Sequence, residues 1–517
     1  MEKGQDIAAS GGEKGSEQHA IDVVPIEVEH GDGKGVVHAG AGDDTEKERL
    51  VVVEEPQKKK STRVAALDAF RGLTIVLMVL VDDAGGAYER MDHSPWNGCT
   101  LADFVMPFFL FIVGVAIAFA MKRVPNMGAA VKKVSVRTLK MLFWGLLLQG
   151  GYSHAPDDLA YGVDMKVIRW CGILQLGLNH NIVLSLYLTM VHQRIALVYF
   201  VVALIEVFTI KVRPVTVRSG PYAIFHAYRW QWLGGFIVFI VYMVTTFSLY
   251  VPDWSYVYHS DGDANDGKRF TVQCGVRGHL DPACNAVGHV DRVVWGINHL
   301  YSQPVWIRTK DCTFSSPESG PLRADAPSWC LAPFEPEGLL SSISSILSGT
   351  IGIHYGHVLI HFKTHKERLK HWLSMGFSLL LLGIILHFTK AIPINKQLYS
   401  ISYVCFTAGA AGIVLSAFYM LIDVWGLRVP FLFLEWIGMN AMLVYVLAAQ
   451  GIFAAFVNGW YYESQDKTLV NWIQKHVFVN VWHSERLGTL LYVIFGEILF
   501  WGVVSGILHK LGIYWKL

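Results

Sequence analysis

The chain has 517 residues, of which 53% are hydrophobic and only 16% charged, and its formal net charge is +1. That composition excludes an ordinary soluble domain, which carries about 25% charged residues, and the near-neutral balance gives nucleic acid no electrostatic footing. With a mean hydropathy of +0.37 and 17 Trp suited to interfacial belts, the chain reads as a polytopic membrane protein whose first partner is the lipid bilayer.

Residues 1–60 are rich in Gly, Glu, Asp, Lys and Ser and show no helical period. They are predicted to be a disordered cytosolic tail. They lack the charged-then-apolar start of a removable leader, so the first apolar helix is expected to serve as its own insertion signal. Residues 61–517 are predicted to form the membrane domain. Stretches approaching or exceeding the roughly 20 residues a bilayer core requires fall near 65–82, 101–121, 137–151, 167–210, 232–251, 338–362, 371–389, 398–421, 431–456 and 487–511. The expected fold is all-α, with about ten transmembrane helices.

Cations set the orientation. Lys58, Lys59, Lys60 and Arg63 precede the first span; Lys122, Arg123, Lys132, Lys133 and Arg137 follow the second; Lys363, Lys366, Arg368 and Lys370 follow the sixth. The positive-inside rule puts these loops and both termini in the cytosol. Cys274, Cys284, Cys312 and Cys330 all fall in the long polar segment 251–337, which the same count makes luminal. Four cysteines in an oxidising compartment, without CxxC spacing, predict two disulfides with the pairing open.

The run 167–210 is about twice the length of one span. It reads either as two spans joined by a tight turn or as one span interrupted by an insertion over 176–193. The downstream cations and cysteines fit only the second, and a retained intron or alternative splice product is the expected source.

Several polar residues carry chemical potential. Leu67-Asp68-Ala69-Phe70-Arg71-Gly72 opens the first span; Asp68 and Arg71 either neutralise each other on one helical face or offer the guanidinium fork to a phosphate. Asp82 and Asp83 close that span, either as a solvated acidic end or as carboxylates that orient His93. His93 lies in Asp92-His93-Ser94-Pro95-Trp96-Asn97-Gly98-Cys99-Thr100, between two apolar segments. An imidazole there can move a proton near neutral pH or simply satisfy hydrogen bonds. Trp96 and Asn97 suit an interfacial ring and an amide donor to a developing oxyanion. Asp103 is a costly acid just inside the second span. Pro107 is expected to kink that span, its freed carbonyl met by water or a side chain. His354, His357 and His361 lie near a cytosolic helix end, where the dipole favours them; with no carboxylate beside them the ligand set is incomplete and no metal site is predicted. Asn395-Lys396 and Asn440 are polar groups at span ends with open roles.

Taken together, Leu67–Gly72, His93–Gly98, Leu101-Ala102-Asp103-Phe104-Val105-Met106-Pro107 and Leu434-Glu435-Trp436-Ile437-Gly438-Met439-Asn440 resemble the heparan-alpha-glucosaminide N-acetyltransferase family, a branch of the transmembrane acyltransferases. The resemblance covers about residues 63–517 and looks like a plant-type member; family sequence reads continuously across Gln175 to Arg194, in keeping with an insertion. It implies an enzyme that takes acetyl from cytosolic acetyl-CoA and delivers it to a luminal amino sugar or glycan. His93 matches the family's catalytic histidine, whereas Asp82 stands where the animal enzyme has asparagine. The family's additional luminal domain and span are replaced here by the tail.

The expected catalytic set is therefore His93, Asp82, Asp83 and Asn97, and the expected acetyl-CoA-binding set is Asp68, Arg71, Trp96, Asp103 and Asn440. Lys132 or Lys133 would help hold the phosphates. Direct transfer and an acetyl-imidazole relay stay open. A homodimer is a further expectation, as is residence in an endomembrane (vacuolar, lysosome-like or Golgi) or the plasma membrane. The rival classes are a multi-span transporter using the same polar residues as a proton relay and an inactive homologue.

Overall fold

A computed structural model describes residues 64–122, 126–147, 191–210, 222–259, 265–318, 320–449 and 467–515, with 220, 453 and 460–462. The predicted tail and most of the predicted insertion lie outside the described residues. Helix dominates, as expected. The long helices are α1 (Ala65–Ala84), α2 (Ala102–Met121), α3 (Met127–Leu147) and α4 (Val191–Thr209), then, after the short α5 (Ala223–Ala227), α6 (Arg229–Ser248). Beyond α7 (Ala286–Trp295) come α8 (Leu339–His361) and α9 (His365–Phe388), then α10 (Ile401–Val424), the bent pair α11 (Val429–Met439) and α12 (Ala441–Ala448), and α13 (Glu485–Lys510).

Six of these, α2, α6, α8, α9, α10 and α13, are long and apolar enough to cross a membrane, and the bent pair makes a seventh if it is one span. Helices α1, α3 and α4 have 20, 21 and 19 residues, and the expected ten is reached only by counting them too.

Small residues bring the bundle together, as in lipid-embedded packing generally. A Cβ on Gly72 of α1 would lie 1.8 Å from the Leu434 carbonyl oxygen, and one on Gly438 would lie 1.9 Å from that of Asp68. The backbones of α1 and α11 therefore touch. Gly114 and Gly352 allow the same approach between α2 and α8.

Pro107 sits inside α2. Without an N–H it cannot bond the carbonyl four residues earlier, that of Asp103. The hydroxyl of Tyr403 on α10 donates to that carbonyl instead, so the side chain expected to meet the freed group is Tyr403.

Between α6 and α8 lies a compact segment built from β1 (Tyr250–Val251), β2 (Trp254–Val257), β3 (Arg269–Val272), β4 (Val276–Arg277) and α7. Strands β2 and β3 pair antiparallel with Trp254 opposite Val272, and β1 pairs with β4. The disulfides are Cys274–Cys284 and Cys312–Cys330, which resolves the open pairing. Tyr256, Trp306 and Phe334 form its core together with Trp96 of the α1–α2 loop. Asp291 of α7 accepts a 2.7 Å bond from the backbone N–H of Leu339, capping α8 from another element.

One end of the bundle gathers the C-terminus of α1, the start of α2, the start of α8 and residues 389–400. The guanidinium of Arg194, near the start of α4, bonds the Pro336 carbonyl and the Ser341 and Ser342 hydroxyls at this end. At the opposite end Asp423 accepts from the Ala66 N–H. That second end also holds the α8–α9 turn, with its cluster of cations.

Candidate functional site

His93 is placed by three elements. The loop after α1 is fastened to the start of α2 by bonds from Leu101 N–H to Arg90 and from Ala102 N–H to Met91. This folds the first turn of α2 beneath the imidazole. Asp103 Oδ1 lies 2.8 Å from His93 Nδ1. Its other oxygen accepts from Ser94 N–H at 3.2 Å and from Thr100 N–H and Oγ1, each at 3.0 Å. These donors offset the cost of burying the carboxylate, which is 0% exposed.

The acceptor on Nδ1 fixes the tautomer by inference from the network: Nδ1 carries the proton and Nε2 the lone pair. Lys396, on the loop between α9 and α10, sets its Nζ 3.2 Å from Nε2, 3.0 Å from Nδ1 and 3.8 Å from Asp103 Oδ1. Burial and then the Lys396 ammonium draw the His93 pKa below its ordinary value, opposed by Asp103. Burial also lowers Lys396, opposed first by Asp103.

On its other side the loop is held by the extramembrane segment. Asp92 accepts from the His93 N–H at 2.6 Å and pairs with Arg308 at 2.6 Å. Arg308 also donates to the Pro317 carbonyl at 2.9 Å, inside the loop closed by Cys312–Cys330. A cavity of about 540 Å³ opens beside His93, and the charged groups on its wall are Asp82, Glu89, Asp92 and Glu318 with Arg308 and Arg486. Acids outnumber bases on that wall.

Several expectations are corrected. The carboxylate on the His93 ring is Asp103, expected on the cofactor, and not Asp82 or Asp83. Asp82 instead lines the cavity, with Oδ2 enclosed and lacking a hydrogen-bond partner among the described residues. Asp83 hydrogen-bonds Glu497 of α13. Asn97 is exposed and its Oδ1 accepts from Asn395 at 3.3 Å, so it fastens the loop that carries Lys396. Trp96 does not line the cavity. Its indole N–H bonds the Leu280 carbonyl at 3.0 Å and its ring meets Trp306 and Phe334 edge-on. It anchors the extramembrane segment to the bundle.

Asp68 and Arg71 pair at 3.0 Å, and Arg71 also donates to the Gly438 carbonyl at 3.2 Å. They sit about 20 Å down α1 from its His93 end at 1.5 Å per residue. Asn440 is fully buried at the 68° break between α11 and α12, both amide atoms lacking a partner among the described residues. His354, His357 and His361 meet Trp232, Glu206 and Tyr228 respectively. A carboxylate therefore does stand beside them: it comes from α4, which sequence distance concealed.

The helices and this end of the bundle define a class, a polytopic α-helical membrane protein with a buried imidazole–carboxylate–ammonium constellation. Residues 63–251 match the model of the heparan-alpha-glucosaminide N-acetyltransferase catalytic family, the family the motifs resemble. The matched region contains His93 and Asp103, and Lys396 lies beyond it. The heparan-alpha-glucosaminide N-acetyltransferase of Mus musculus is 29% identical over 469 residues, covering 87% of this chain and 62% of its own length. That of Homo sapiens is 27% identical over 462 residues, covering 85% and 60%. The chain thus spans about three-fifths of the length of the curated relatives it matches.

Proposed function

We propose that the protein is a membrane acetyltransferase that moves an acetyl group from acetyl-CoA to the amine of a sugar or glycan. The acceptor occupies the cavity beside His93, and the donor is received from the opposite, cation-rich end. The observation that carries this reading is the 2.8 Å His93–Asp103 bond, inside the stretch that matches the catalytic family.

Asp103 holds the imidazole so that Nε2 faces the reacting centre. The amine nitrogen attacks the thioester carbonyl carbon. As the C–N bond forms, the carbonyl π pair moves to oxygen and Nε2 accepts the N–H proton. When the C–S bond breaks, the imidazolium returns that proton to the thiolate, so the products are the amide and the free thiol. With four acids against two arginines, the cavity wall suits an acceptor that arrives as an ammonium and gives its extra proton to water before attack. Arg71, Lys132 and Lys133 are the cations assigned to the donor's phosphates, with the cation-rich end cytosolic and the disulfide-bearing segment luminal by the positive-inside rule.

The test is transfer of radiolabelled acetyl from acetyl-CoA to glucosamine by purified protein, with His93→Ala as control. Transfer by the wild type that His93→Ala abolishes is the expected result; equal transfer by both would exclude His93 as base. The broken span at Asn440 favours a second reading, since discontinuous helices with buried polar groups mark carrier sites. Movement of glucosamine into proteoliposomes without acetylation would establish that alternative.

A further inference from the structure

We propose that Lys396 is the electrophile of the site: its ammonium, held beside the His93 ring, turns to the carbonyl oxygen of the acyl donor. The inference rests on the acyl-transfer reading above.

Geometry supplies the argument. Lys396 Nζ lies 3.0 Å from Nδ1 and 3.2 Å from Nε2, so the ammonium stands beside the ring between the two nitrogens, off the line of the Nε2 lone pair. The ammonium is thus 3.2 Å from the base, Nε2. The reacting carbon must come within hydrogen-bond reach of that same nitrogen through the attacking amine. A carbonyl oxygen at such a point lies within the sweep of a lysine side chain, whose four-carbon stem carries a mobile point charge.

The loop beneath that stem is fixed. The Gly98 N–H donates to the Ile394 carbonyl at 2.8 Å, Asn395 Nδ2 donates to Asn97, and Asn395 Oδ1 accepts from Leu398 N–H at 2.9 Å. Only the side chain need move. The charged and titratable groups facing Lys396 are His93 and Asp92 of its neighbouring loop, Asp103 of α2, Glu337 ahead of α8, Arg194 of α4 and Asp82 of α1. Four of these six are carboxylates, which counter the burial of the amine.

In the reaction the carbonyl π pair moves onto oxygen and the ammonium donates a hydrogen bond to it without losing its proton. The negative charge passes to sulfur as the C–S bond breaks, and the ammonium can then return to the imidazole. Lys396 thus neutralises charge that exists only between attack and collapse.

The experiment compares the full-length wild type with Lys396→Met and Lys396→Gln in detergent. Two quantities are read: single-turnover acetyl transfer to glucosamine, and the pH dependence of His93 modification by diethyl pyrocarbonate, measured on its peptide by mass spectrometry. Both variants should lose about 10²- to 10³-fold in the transfer step, with KM for acetyl-CoA within about threefold. The midpoint of His93 modification should move to higher pH, because the cation that disfavours its protonation is gone. Gln keeps hydrogen-bonding capacity and serves if Met does not fold. Variant transfer within about threefold of wild type overturns the electrophile while leaving the acyl-transfer reading standing. So does a lost rate with unchanged His93 reactivity. No transfer by the wild type itself overturns the acyl-transfer reading, and the electrophile with it.

Discussion

Replacing Asp103 with Asn changes one atom, and its consequences can be worked through. The side chain is 0% exposed and holds His93 Nδ1 at 2.8 Å. An amide cannot present two equivalent oxygens. If its oxygen faces Nδ1–H, the NH₂ confronts the donors Ser94 N–H, Thr100 N–H and Thr100 Oγ1. If the amide turns to satisfy those three, its NH₂ faces His93 and stabilises the tautomer with the proton on Nε2, where no base remains. The second arrangement satisfies more donors, so the wrong tautomer should prevail. By analogy with carboxylate-to-amide changes in other imidazole–carboxylate pairs, kcat should fall about 10³- to 10⁴-fold, equivalent to ~4–5.5 kcal/mol of barrier. Asp103 also raises the His93 pKa, so its neutralisation should move the acidic limb of kcat/KM to lower pH. The assay is acetyl transfer across a pH series. A rate within about tenfold of wild type, or an acidic limb displaced to higher pH, would refute the assignment of Asp103 as the orienting group.

Burial pushes the carboxyl of Asp291 up to about 8 from 3.8, with Glu335 adding to the rise and Arg194 and Arg292 opposing it. The folded state therefore holds a proton that the unfolded chain releases above about pH 4, and stability should fall by up to about 1.4 kcal/mol per pH unit between roughly 4 and 8. Asp291→Asn, which can keep the Leu339 cap, should flatten the dependence of Tm on pH across that window; an unchanged slope would exclude Asp291 as its source. Gly438→Ala would drive a methyl to 1.9 Å from the Asp68 carbonyl oxygen, destabilising by about 3 kcal/mol or more, visible as loss of monodisperse protein on size exclusion. Opening Cys312–Cys330, which are 18 residues apart, should cost about 3 kcal/mol and loosen the Arg308 clamp. A raised KM for the acceptor with little change in that for acetyl-CoA is the expected kinetic sign, and equal changes in both would contradict it.

Much of this architecture was legible in the residues. Apolar lengths located the helices, four cysteines announced the disulfide-bearing segment, and Pro107 implied a carbonyl in need of a donor. The Asp68–Arg71 pair at three-residue spacing was foreseeable from helix geometry alone. What escaped was whatever required distant segments to meet. Asp82 and Asp83 looked like partners of His93 because they precede it closely. The sharp return of the chain between Arg90 and Ala102 instead brings Asp103 beneath the ring. Lys396 is some 300 residues from His93, and one sequence offers only Pro393 and a polar loop end to hint at it. The packing of Trp96 against Trp306 and Phe334 was hidden because an interfacial tryptophan and a domain-core tryptophan share the same composition signal. Glu206 was invisible as the partner of His357 because nothing in an apolar helix says which way a lone acid turns.

The bond from Tyr403 to the carbonyl released by Pro107 couples two parts that drawn topology would treat as separate. The residue whose side chain steadies the imidazole has its main chain tethered to α10, the helix that continues directly from the Lys396 loop. The carboxylate and the loop that carries the ammonium are consequently riveted to a single block. A hinge that left this block whole would fall at the 68° break beside Asn440, and the surrounding wall would then move while the chemical centre stayed undisturbed.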